Sequence, residues 1–163
     1  MQKEVDEKIV SLLDKLIATC KDSENAYHAA AEKAQAKELK RFFRQCAGQR
    51  ARFAAELQEE VYRHGALPPR RGTVGGALHR RWLRLKSVFL GAGEARLLAE
   101  CERGEEAALR RYEAPAHEVL PPELQELVAK QYRDVKRARD RLRALQEQAG
   151  TSPAQGPTNV SSP

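Results

Sequence analysis

The sequence predicts an all-α bundle of four long helices, with a shorter helix at about residues 73–90. Two observations predict that class. Apolar residues recur at three- and four-residue intervals along extended stretches, the period of one helix face. Most of the 8 prolines and 10 glycines gather in short clusters, so the stretches between them can run as uninterrupted helices. Runs of β-branched and aromatic residues bounded by turns, the mark of strands, do not occur.

The first helix is predicted over about 3–34, where Ile9, Leu13, Leu16, Cys20, Tyr27, Ala31 and Ala34 form a stripe broken once by Glu24. A short link, QAKE, folds the next helix back antiparallel. That helix carries Leu39, Phe43, Cys46, Phe53, Leu57 and Val61; Gly65 caps it and Pro68–Pro69 forbid continuation. Thr73 is a suitable N-cap for the shorter helix, lined by Val74, Leu78, Trp82, Leu85 and Phe89 and stopped by GAG at 91–93. This helix is either a fifth member of the bundle or the crossover between two hairpins. The fourth helix is expected over about 94–113 and the last over about 122–148, striped by Leu124, Val128, Val135, Ala138, Leu142 and Leu145. Residues 149–163, rich in Pro, Ser and Gly, are too polar to bury surface and read as a disordered tail. The domain is thus expected to span 1–148.

At 163 residues the chain suits one domain with a real core. A net charge of +6 neither requires nor forbids an anionic partner. No apolar run approaches the roughly 20 residues that span a bilayer, and the charged N-terminus lacks a signal-peptide core. The expectation is a cytoplasmic protein without a membrane partner. Cys20, Cys46 and Cys101 each lie on an apolar stripe without Cys-x-x-Cys spacing, as buried thiols in a reducing compartment do.

The stretch LAECERGEEAALRRY (98–112) places Glu105 where its helix should be apolar. Each long helix has one such break: Glu24, Gln49 or Arg50, Glu105 and Gln131. All lie about 20 Å from their turns at 1.5 Å per residue, so they are expected to share one polar layer near mid-bundle. A buried carboxylate needs compensation. One source is Arg50 bridging Glu24 and Glu105, with Tyr27, Tyr112 and the two glutamines completing the hydrogen bonds. A second is a metal ion such as iron, manganese or zinc, held by Glu24, Glu56, Glu102 and Glu105 with His79. Water in a small polar cavity is the third. Bundle di-metal centres draw Glu-x-x-His from two helices, and neither CAGQRARFAAE nor AKQYRDVKRARD contains it. The structural network is therefore preferred, with Glu105→Leu expected to fold as well as the parent.

His79, beside Trp82, is the histidine nearest to a ligand position. His28 pairs at i,i+4 with Glu24, His64 complements a helix C-terminus, and His117 lies in a loop. The basic stretches RRWLRLK and RDVKRARDRLR spread their arginines around the helix and interleave Asp134 and Asp140, so they read as solvated faces and nucleic acid is disfavoured. Exposed helix faces leave a homo-oligomer open. No phosphate loop, zincin motif or Ser/His/Asp signature appears, and no reaction is assigned.

The blocks LLDKLIATCKDSENAY, QRARFAAELQEEV, GALHRRWLRLKS, ECERGEEAALRRYE and LPPELQELVAKQYRDVKRARDRLRAL occur in that order. Together they resemble a bacterial family of uncharacterised four-helix-bundle proteins grouped with the ferritin-like superfamily, over about residues 5–147. The resemblance implies a ferritin-like up-down bundle and lends no reaction. Members often carry His where this chain has Arg139, and Gly where it has Ala26.

Overall fold

The computed structural model describes residues 1–66, 80, 83–84, 86–116 and 118–151. Four long helices dominate: α1 (Gln2–Lys33), α2 (Lys37–Arg63), α3 (Glu94–Ala116) and α4 (Pro122–Thr151). Residues 80, 83–84 and 86–89 are also helical, where the shorter helix was expected. Its expected N-cap, Thr73, lies outside the described residues. The last helix runs past the expected end at 148, so residues 149–151 belong to it and not to a tail. Residues 152–163 lie outside the described residues.

Local signals explain the ends. Gly65 takes φ +79°, the left-handed conformation that a glycine adopts at no steric cost. There the N–H of Ala66 reaches the Val61 carbonyl and that of Gly65 the Tyr62 carbonyl, two bonds that close the last turn of α2. The start of α2 has no side-chain cap of its own. Instead Glu94, the first residue of α3, accepts the backbone N–H groups of Gln35 (3.1 Å) and Ala36 (2.7 Å), fastening the α1–α2 link to the second hairpin.

The four helices form a ring in which α1 packs on α2 and α3, while α4 packs on α3 and, more loosely, on α2. Helices α2 and α3 thus face each other across the diagonal. Residues 19 and 20 of α1 meet 111 and 112 of α3, and Tyr27 meets Glu105, so α1 and α3 are antiparallel. The directions are therefore up, down, down, up. The connection between α2 and α3 is the crossover, because α2 ends at one pole of the bundle and Glu94 lies at the other. Phe89, on that connection, is buried in the core.

That core has two halves. Leucine and isoleucine dominate one, including Leu13, Leu16, Leu57, Leu124 and Val128. Alanine fills much of the other, with Ala29, Ala30, Ala31, Ala34 and Ala47 around Tyr27, Phe43 and Phe89. The small residues sit where α1 and α2 are joined by their short link. Between the halves lie buried polar side chains.

A buried charge layer as candidate functional site

Arg50, Glu105 and Gln131 are each at most 1% exposed. The Arg50 Nη2 donates to Glu105 Oε1 at 2.6 Å, forming an ion pair across the bundle diagonal. Tyr27, reaching in from α1, donates its hydroxyl to the same oxygen. Arg50 Nη1 donates to Gln49 Oε1 at 2.8 Å, and the guanidinium lies 5.3 Å from the Phe53 ring centre. Burial, the largest single influence, opposes the charge on Arg50, but the Glu105 carboxylate together with Tyr27 and Cys46 outweighs it and the net shift is upward. Burial, aided by Glu105, keeps the Tyr27 phenol protonated and so a donor. Among the described residues, Glu105 Oε2 and Arg50 Nε have no hydrogen-bond partner.

A second circuit runs beside the first. The Tyr112 hydroxyl donates to Gln131 Oε1 at 2.8 Å, and Gln131 Nε2 donates to Glu56 Oε2 at 2.8 Å. Cys20 Sγ lies 3.1 Å from the Tyr112 oxygen. Since that hydroxyl donates to Gln131, the thiol is the donor there. Each circuit thus draws its groups from three or four helices, and the two together tie all four.

The three cysteines are buried and free, and all border this layer. Burial pushes the Cys20 and Cys46 thiols up to about 11, and Cys101 higher still. These are protonated thiols, unsuited to nucleophilic or redox attack.

The carboxylates expected as ligands have different partners. Glu105 faces Arg50. Glu56 accepts from Gln131. Glu24 is half-buried and stands 3.8 Å from His28, outside the Arg50–Glu105 contact, so the expected Arg50 bridge to both glutamates reduces to Glu105 alone. Glu102 accepts from Arg143 Nε at 2.5 Å and from Gln146. Those bonds, with that from Arg143 the strongest influence, hold its carboxyl below the usual range. His79 lies outside the described residues, as do His117 and Trp82. Among the described residues no three His, Cys, Asp or Glu side chains converge to hold a metal. Each of the four described carboxylates is thus engaged by a different partner and not gathered with the others. Arg139 bonds Glu106 and Asp140 at 2.9 Å each. Sequence reasoning placed Arg50, Glu105 and Gln131 together; it missed that the cysteines border them.

Residues 8–118 match the family model described as a domain of unknown function, DUF2383. The chain belongs to this family. Its fold is that of a ferritin-like protein: a crystal structure from Anabaena variabilis, of a two-domain protein containing DJ-1/ThiJ/PfpI-like and ferritin-like domains, superposes with a TM-score of 0.75. The identity is 15%, and the match covers 97% of this chain but 44% of that one. This member of the family therefore spans less than half the length of that neighbour. No curated protein matches it. Among its described residues, no helix is long and apolar enough to cross a membrane.

Proposed function

We propose that this chain is a non-catalytic bundle protein that acts through its surface, and that the polar layer fixes helix pairing and register. The supporting observation is the Arg50–Glu105 pair. Ferritin-like metal centres are built from carboxylates on facing core helices, and here a protein cation already stands 2.6 Å from the core carboxylate. A metal ion at the same oxygen would meet that positive charge at close range in a medium that screens weakly. Buried polar groups that specify one arrangement of helices have precedent as register devices. Three buried free thiols support a reducing, cytoplasmic setting, and self-association through helix faces belongs to the same reading.

A second reading, in which Glu24, Glu56, Glu102, Glu105 and His79 take up iron, manganese or zinc, draws support from the unpartnered Glu105 Oε2. Elemental analysis of protein purified without tag or chelator separates the two. Metal far below stoichiometric, even after reconstitution, is the expected result. Stoichiometric metal that disappears in Glu105→Gln would establish the second reading instead.

A further inference from the structure

Arg63, Arg103, Arg139 and Arg143 each contact a carboxylate within 3.3 Å. One groove instead gathers cations that lack such compensation. It runs between α2 and α4, where the helices pack most loosely, and Lys37, Lys40, Arg41, Arg44 and Arg52 line its α2 side. Arg137 and Arg141 line the α4 side. The one acidic residue in its lining, Asp134, is engaged by Arg137 at 2.9 Å and by Lys130 at 4.0 Å. The other six cations have no acidic partner among the described residues.

Besides the charged residues, Phe42, half-buried against Phe43, lines the groove with Cys46 and Ala138, and the amides Gln45 and Gln49 stand beside them. Gly48 adds width, since a methyl group built there would meet nothing within 4 Å. From Lys37 to Arg52 the groove extends about 22 Å at the helical rise, the length of a helix of about 15 residues.

We propose that this groove docks an acidic amphipathic helix of a partner protein. Its apolar face meets Phe42 and Ala138, and carboxylates on its flanks meet the cations of the two walls, the helix-in-groove mode of recognition. Charge complementarity selects this occupant. A second copy of the chain related by two-fold symmetry would set the same cations against one another. Single-stranded nucleic acid draws on exposed aromatic rings for stacking, and the groove's one ring is packed against Phe43. The proposal rests on the reading of this protein as one that acts through its surface.

The test is fluorescence anisotropy with the full chain. The probe is a labelled helical peptide of about 15 residues with leucines on one face and glutamates on both flanks; a version with lysines for glutamates is the control. The acidic peptide should bind and weaken several-fold between about 50 and 200 mM salt, while the lysine version should not bind. Lys40→Glu with Arg44→Glu should weaken binding about tenfold or more, since each removes an attraction and adds a repulsion, with the circular dichroism and melting temperature kept. Absence of binding, or binding unchanged in the double variant, would overturn the proposal. So would an oligo-dT of equal charge that binds tighter than the peptide; that result would assign the groove to nucleic acid. Metal content is measured separately: metal-loaded protein that still binds the peptide defeats the non-catalytic reading and leaves the groove, and metal-free protein that ignores the peptide does the reverse.

Discussion

Arg50 and Glu105 meet at 2.6 Å across the diagonal of the bundle, on two helices that are not neighbours, with both side chains 1% exposed. With that pairing in place, Glu105→Leu would strand Arg50 in the core, which sets the prediction against the expectation that this variant folds as well as the parent. Removing one member of a buried pair costs about 3–5 kcal/mol, whereas replacing both by well-packed apolar residues is neutral or stabilising by about 1–4 kcal/mol. Arg50→Met and Glu105→Leu should each lower the urea midpoint sharply, and the double variant should recover it. Single variants as stable as the parent would show that the pair is solvated.

Stability should fall in alkali. The Cys20 and Cys46 thiols ionise near 9.0 when unfolded but only near 11 when folded, chiefly because burial disfavours the thiolate. Their protonated forms therefore contribute stability that is complete below 9.0 and lost as the pH rises towards 11. Tyr27, also raised by burial, acts in the same direction. The unfolding free energy from urea titrations should decline between about pH 9 and 10.5, by up to about 1.4 kcal/mol per pH unit for each thiol, and Cys46→Ala should flatten the decline. A flat profile in the parent would mean that the thiols titrate as exposed groups.

Gly104 sits in the middle of α3, exposed, and a methyl group built on it meets nothing within 4 Å. Gly104→Ala should raise stability by about 0.5–1 kcal/mol through helix propensity alone. Thermal melting reads this directly. A loss would reveal that α3 needs the room beside Glu105.

Glu94 should matter beyond its own helix. It serves two amides of the α1–α2 link that no other side chain caps. Glu94→Ala should cost about 1 kcal/mol, and Glu94→Gln less, because its amide oxygen still accepts. Equal stability of all three proteins would show that water serves those amides as well.

The helices were legible because their stripes keep the 3.6-residue period for many turns, and the end of α2 because Gly65 is a local signal; Pro68 and Pro69 lie outside the described residues. The layer was legible at Glu105, Arg50 and Gln131, since a charge or amide on an apolar stripe is carried into the core with its helix and must find a partner there. It was misread at Glu24. Periodicity gives the angular position of a backbone atom, and a long side chain from the next turn, here Tyr27, can reach the layer in its place. A clue to the cysteines was present: Cys20, Cys46 and Cys101 each stand four residues before the polar break of their helix. The basic groove was not legible, because its walls lie far apart in sequence and each helix alone reads as a solvated face. Only the packing of α2 beside α4 assembles it.

The layer also decides which half-molecules can exist. Each hairpin carries one member of the ion pair: Arg50 lies in the α1–α2 hairpin and Glu105 in the α3–α4 hairpin. Two copies of the first hairpin, dimerised face to face, would bury two guanidinium groups without their Glu105 partners, and two copies of the second would bury two carboxylates without their arginines. Either product opposes itself electrostatically at its centre. Cleavage within the crossover should therefore leave fragments that recombine with each other and refuse their own kind, so that one contact enforces the pairing of unlike hairpins.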